Sequence, residues 1–195
     1  MSKANSNLFV GTEGHRAILG KENSEFINSR KSAEDIIAER VKGLDTKEHP
    51  IKNKKYLSNN QIKRIKEKID SRTATMKEYK DMRMSERLNA RRNEGRDSFW
   101  EFEKERILKG ETPTRKWTET QIKDILAGRR PKYNGKTIQA HHTYNVSRYP
   151  HLANRWEVIF PTTFKEHFYD WHGGNWKNSL PGKRIRNNGG KHYDK

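Results

Sequence analysis

The stretch Lys136–Asn178, KTIQAHHTYNVSRYPHLANRWEVIFPTTFKEHFYDWHGGNWKN, holds five of the chain's eight histidines: His141, His142, His151, His167 and His172. Thr137-Ile138-Gln139-Ala140 is a short β-like run that leads into the His pair, and Glu157-Val158-Ile159-Phe160 is a second. A loop containing Asn154 separates them. Thr163-Phe164-Lys165-Glu166 has the form of a capping box, which makes Thr163 the expected N-cap of a short helix that Gly173-Gly174 ends. His167 then falls about one turn into that helix, where it can face the strand histidines.

Successive residues on a strand point to opposite sides. At a strand end, His141-His142 can therefore place one ring on a metal ion and the other toward a water molecule. Hydrolysis of a phosphodiester needs that water deprotonated, the charge on the phosphorane offset and the leaving oxygen stabilised. A divalent cation meets the last two needs, and an imidazole with an ordinary pKa near ~6.5 suits the first. Asn154 can orient its loop through side-chain to backbone hydrogen bonds. His172 is less simply placed. It lies at i+5 from His167, roughly 140° away on an ideal helix, and joins a metal there only if the helix unwinds or bulges before Gly173. Otherwise it contacts a substrate phosphate or lies on the surface. His151, after Pro150, reads as a surface residue. Arg129, Arg130, Arg148 and Lys177 are candidate phosphate contacts.

The net charge of +17 and pI near 10.0 point to a polyanionic partner, nucleic acid first, with an acidic protein or a membrane surface behind it. Residues 111–195 hold 16 Lys/Arg against 7 Asp/Glu, so the charge is not confined to the helical part. Hydrophobic content of 30% allows a packed core in only part of the chain. The lack of cysteine excludes disulfides and thiolate metal sites. No apolar run approaches the ~18 residues of a membrane span, and MSKANSNLFVGTEGHR lacks the apolar centre of a signal peptide.

Upstream, residues 1–31 read as a polar linker or tail, with a small apolar patch at Leu8, Phe9 and Val10 and an isolated His15. Residues 32–110 read as a charged helical region. Ser32 to Gly43 is one helix, Ser58-Asn59-Asn60-Gln61 caps a second with Ile62, Ile65 and Ile69 on one face, and 74–109 continues mostly helical. The basic helices can track phosphates, but the mixed charge, dense around Ser85–Asp97, favours a solvated face, while Phe99, Trp100, Phe102, Ile107 and Leu108 form an apolar cluster. Gly110-Glu111-Thr112-Pro113 marks the expected boundary to a second domain, 111–182. There Thr118-Glu119-Thr120-Gln121 caps a short helix and Asn134-Gly135 signals a turn before the first strand. Residues 183–195, with His192, read as a basic flexible tail.

The order of Ala140-His141-His142, Asn154 and Glu166-His167, with Tyr149-Pro150, Phe160-Pro161-Thr162 and Trp171-His172-Gly173-Gly174-Asn175, resembles the HNH/endonuclease VII superfamily and, within it, the GHH-type nuclease toxins. The resemblance runs from about Trp117 to Gly182. It implies an α+β chain, with a helical basic N-terminal region followed by a small ββα-metal domain that holds one divalent ion (Mg2+, Mn2+ or Zn2+). In it His141 and His167 are metal ligands, His142 is the general base and Asn154 is the middle residue of the motif. Ala140 stands where the family's name puts Gly. The implied activity is a metal-dependent endonuclease on DNA, with RNA second. The implied setting is a bacterial toxin secreted or delivered into target cells, active in their cytoplasm and neutralised by an acidic immunity protein. Two other readings compete: a non-toxin HNH endonuclease, and a non-catalytic nucleic-acid-binding module with a structural metal.

Overall fold

Side-chain caps set where the helices begin. The computed structural model describes residues 31–53 and 55–186. The readings on residues 1–30 and on 187–195, including His15 and His192, lie outside the described residues. Helix α1 (Ala33–Arg40) is followed by Gly43 at φ +84. Ser58 caps α2 (Asn59–Asp70) with both bonds of its capping box. A box that was not anticipated, Thr75 with Glu78, opens α3 (Met76–Leu108), roughly 50 Å long at 1.5 Å per residue. Thr118 caps α4 (Glu119–Leu126) as expected.

The chain is α+β, helical first and strand-containing after, as the sequence indicates. The core, however, is continuous across Gly110. Phe99, Trp100 and Ile107 of α3 pack with Ile37 of α1, Trp117, Ile125 of α4, Val158, Ile159 and Trp171. Glu103 fixes this junction. Its fully buried carboxylate accepts from the Thr114 amide at 2.8 Å, the Thr114 hydroxyl at 2.5 Å and Trp117 Nε1 at 2.6 Å, while Arg40 donates to Thr114 Oγ1 at 2.5 Å. A buried carboxylate is tolerable only when its lone pairs are filled in this way. Leu108, expected in the same cluster, is 60% exposed, because it follows Ile107 and points about 100° away from it. α2 packs Ile62 and Ile65 on Met82. Lys66 and Lys68 reach across to Glu86 and Glu78 of α3 in half-exposed ion pairs, a solvated charged face as the mixed charge suggests.

Four short strands complete the described fold. β1 (Lys132–Tyr133) and β2 (Lys136–Thr137) form a hairpin around Asn134 and Gly135, at φ +47 and +74. β3 (Gln139–His142) pairs antiparallel with β4 (Ile159–Thr162), placing His141 opposite Phe160 and His142 opposite Ile159. Both strands start two residues later than the sequence reading. The hairpin takes Thr137, and a 3-10 turn, Trp156–Val158, takes Glu157 and Val158. The His pair therefore closes β3. The first residues of the expected flexible tail are also tied down. Arg184 grips Glu34 of α1 at 2.7 and 2.8 Å, and the amides of Ile185 and Arg186 bond the Asp170 carbonyl at 2.8 and 3.0 Å.

One close approach locks α3 against the loop before β4. A Cβ on Gly95 would lie 2.7 Å from the Ala153 carbonyl oxygen and 3.0 Å from the Asn154 carbonyl carbon, both backbone. Gly95→Ala gains about 1 kcal/mol of helix propensity but must push the loop away. A net loss of about 1–3 kcal/mol is expected from such overpacking, measured as a fall in the chemical denaturation midpoint. A more stable variant would show that the loop yields freely.

Candidate active site

His141 and His142 leave β3 on opposite sides and meet different surroundings. His141 turns toward the helix after β4. Its ring centroid lies 4.4 Å from that of His167 and 5.3 Å from that of His172, and the latter two are 4.9 Å apart. One ligand nitrogen from each of the three rings lies within 4.8 Å of the others.

The helix achieves this by being π rather than α. Thr163 and Glu166 cap it with the predicted reciprocal bonds, and Glu166–Trp171 then runs as a π-helix. The His172 amide bonds the His167 carbonyl at 3.2 Å, an i+5 bond. This is the bulge that His172 requires, and it puts the i+5 residue on the face of His167. Gly173 and Gly174, at φ +60 and +86, end the element where predicted.

Bonds to the far side of each ring fit a metal. His167 Nδ1 donates to Gln139 Oε1 at 2.5 Å and His172 Nδ1 to the Asn178 carbonyl at 2.6 Å. In each ring the lone pair is then on Nε2, the tautomer a ligand histidine takes when a carbonyl holds its other nitrogen. Burial drives the His141 pKa well below its ordinary value, with the neighbouring imidazoles adding to the effect. Burial first, then His172, lowers His167 to about 4. Neutral rings are the ligand form. Three histidines on one open site suit a catalytic divalent ion rather than a closed four-ligand structural one.

His142 is outside this triad. Its Nε2 donates to the Ala153 carbonyl at 2.8 Å, and its buried Nδ1 has no hydrogen-bond partner. Burial, opposed by the Ala153 bond and reinforced by Arg92 and Arg96, lowers it to about 3. A neutral imidazole with a free lone pair beside a metal triad is equipped to take a proton from water.

The cavity in front of these rings, of about 350 Å3, is lined by all four histidines, Trp176, and two residues that the sequence reading missed, Arg92 and Arg96 of α3. They lie one turn apart on one helical face. Each is more than half buried, each has an unbonded Nε, and burial lowers both pKa values. Among the described residues that line the cavity none is Asp or Glu. The available signal was the Arg92/Arg96 spacing around Gly95, a glycine inside a helical stretch that called for a packing reason.

The other predicted residues fall elsewhere. Asn154 bonds α3 rather than its own loop's backbone: Arg91 donates to its Oδ1 at 2.8 Å, and its Nδ2 donates to Glu94 at 3.4 Å. Arg91 also reaches the His151 carbonyl at 2.9 Å, so the loop is held from the helix. Arg129 pairs with Asp124, Arg130 with Asp97, and Arg148 with Glu48, each at the surface. Lys177 is exposed beside Trp176. Trp176, 48% exposed, lies 5.0 Å from His167 and 5.1 Å from His172 between ring centroids.

Residues 84–162 match a family model described as a GHH signature containing HNH/Endo VII superfamily nuclease toxin. This segment is similar to the nuclease toxins of the HNH/endonuclease VII superfamily. No curated protein and no solved structure matches the chain. The GHH match covers His141, His142 and Asn154, and ends before His167 and His172. It begins inside α3, well upstream of Trp117, and so includes Arg92 and Arg96 within the matched segment. No described helix is long and apolar enough to cross a membrane.

Replacing His172 with Ala is expected to weaken Mn2+ or Zn2+ binding by calorimetry as much as His167→Ala does, and Gln139→Ala to weaken it by roughly 10-fold or more. Unchanged affinity in His172→Ala would remove that residue from the ligand set.

Proposed function

We propose that the chain is a metal-dependent endonuclease that hydrolyses DNA phosphodiester bonds and acts as the toxin domain of an interbacterial toxin. The observation that carries this reading is the juxtaposition of the His141/His167/His172 triad with His142, whose Nδ1 lone pair is free, in a cavity walled by Arg92 and Arg96. His142 takes the proton of the attacking water, and the Ala153 carbonyl holds its ring in the required tautomer and orientation. Arg92 and Arg96 bind non-bridging phosphate oxygens and offset the charge that grows on them as the water oxygen attacks phosphorus and the bond to the 3′-oxygen breaks. His141, His167 and His172 would hold one divalent cation, which would supply Lewis-acid stabilisation of the phosphorane and the departing oxygen. Asn154 acts at a distance from the reacting atoms, as a residue that ties the loop of Ala153 to α3.

Arg129, Arg130, Arg148 and Lys177 serve as outer contacts to the nucleic-acid backbone, where the ion pairs of the three arginines can exchange for phosphate. The net charge of +17 supports both a polyanionic substrate and an acidic immunity protein. The family's description as a nuclease toxin supports delivery into target cells and action in their cytoplasm.

Cleavage of supercoiled plasmid by the purified chain, with Mg2+, Mn2+, Zn2+ or EDTA, tests the reading. Metal-dependent nicking is expected, reduced by about 10²–10⁴-fold in His142→Ala and by roughly 10²-fold in Arg96→Ala. DNA that is bound but left intact with every metal, while RNA is cut, would overturn the substrate assignment. No cleavage of either would overturn the nuclease.

A further inference from the structure

A second group of metal-ligating side chains lies outside the nuclease cavity. Asp45 and His49, in the segment after α1, meet His151, in the loop between β3 and β4. One ligand atom from each lies within 4.8 Å of the others. His49 Nε2 is 2.7 Å from Asp45 Oδ2, and the His49 and His151 rings stand edge to face with centroids 4.7 Å apart. The His151 ring is oriented by a main-chain acceptor: its Nε2 lies 2.8 Å from the Asp45 carbonyl oxygen. Only an N–H can make that bond, so the ring's lone pair is on Nδ1, which is buried and has no hydrogen-bond partner. One nitrogen bonded to a carbonyl and the other without a hydrogen-bond partner among the described residues is the arrangement that ligand histidines take.

We infer that Asp45, His49 and His151 form a second divalent-metal site, structural in role and separate from the catalytic triad. Two imidazoles and one carboxylate select ions of the zinc, nickel and cobalt class over Mg2+ or Ca2+. Neutral histidines and an ionised Asp45 leave the bound ion a net positive charge, and the half-exposed Asp45 and His49 leave coordination positions for water. At metal–ligand lengths near ~2.0–2.1 Å a tetrahedral ion needs Oδ2 and Nε2 roughly 3.3 Å apart. Small rotations of two exposed side chains supply the difference from 2.7 Å.

The site spans a junction that is already stitched by backbone. The His49 amide bonds the Arg148 carbonyl at 2.9 Å, and Tyr149 donates to Glu48 at 3.3 Å. An ion there pins the turn that leads to Ala153, the carbonyl that holds His142. The inference uses none of the catalytic histidines and does not depend on the nuclease reading.

The test uses the full chain with His141 and His167 both replaced by Ala, stripped of metal and checked by circular dichroism, titrated with Zn2+ by calorimetry. One bound equivalent is expected in this background, weakened by 10-fold or more when His49→Ala is added. No binding, or binding that His49→Ala leaves unchanged, overturns the proposal. Should the double variant fail to fold, wild type carries the same comparison. Two equivalents falling to one in His49→Ala support the site, and a stoichiometry and affinity untouched by His49→Ala overturn it.

Discussion

The approach of α3 to the Ala153–Asn154 backbone, possible only because Gly95 has no side chain, is the constraint on which the site depends. It brings the helix close enough for Arg91 to hold the His151 carbonyl and Asn154, and sets Arg92 and Arg96 over the histidines. It also fixes the Ala153 carbonyl, and through it the ring of His142. A helix that a two-strand-and-helix description treats as a neighbour is thus one wall of the histidine-lined cavity. The buried Glu103, bonded to Thr114 and Trp117, anchors the other end of the same helix, so that wall cannot swing away without unpairing a buried carboxylate.

The strand and the π-helix solve a problem of reach. The alternation of the strand separates the two adjacent histidines on β3, one toward His167 and His172 and one toward Ala153. An α-helix would turn His172 away from His167. The π turn, with its i+5 bond, brings it back, and π-bulges are found at functional sites for this kind of reason. Such a turn is costly unless the surroundings impose it. Here Trp171 is buried against His141 and Phe160, and Asp170 accepts the amides of Ile185 and Arg186.

What could be read from the sequence was the local part. The His pair, the Thr163–Glu166 box and the Gly173-Gly174 stop are short-range signals, and each has the place in the structure that local chemistry assigns it. The strand ends moved by two residues because hairpin closure and a 3-10 turn competed for the same residues. His172 hung on a helix type that no spacing rule decides. Arg92 and Arg96 were hidden by distance. Forty-odd residues upstream of the His pair, in a run of mixed charge, they look like any solvated helix face. Only tertiary packing shows that they are half-buried and unpaired while Arg129, Arg130 and Arg148 have carboxylate partners.

That difference in pairing tells more about function than the total charge does. Among the described residues, many basic side chains outside the cavity stand in ion pairs with nearby carboxylates. Inside the cavity two arginines and four imidazoles converge without a carboxylate. His141, His167 and His172, as neutral rings, would leave a bound divalent ion its full charge, which beside two guanidiniums would favour the entry of an anion. Under the proposed reading, a phosphate beside these groups would offset their positive charge, and a phosphorane, with more negative charge on its oxygens, would offset it further. Affinity that rises as the substrate approaches its transition state is what catalysis requires.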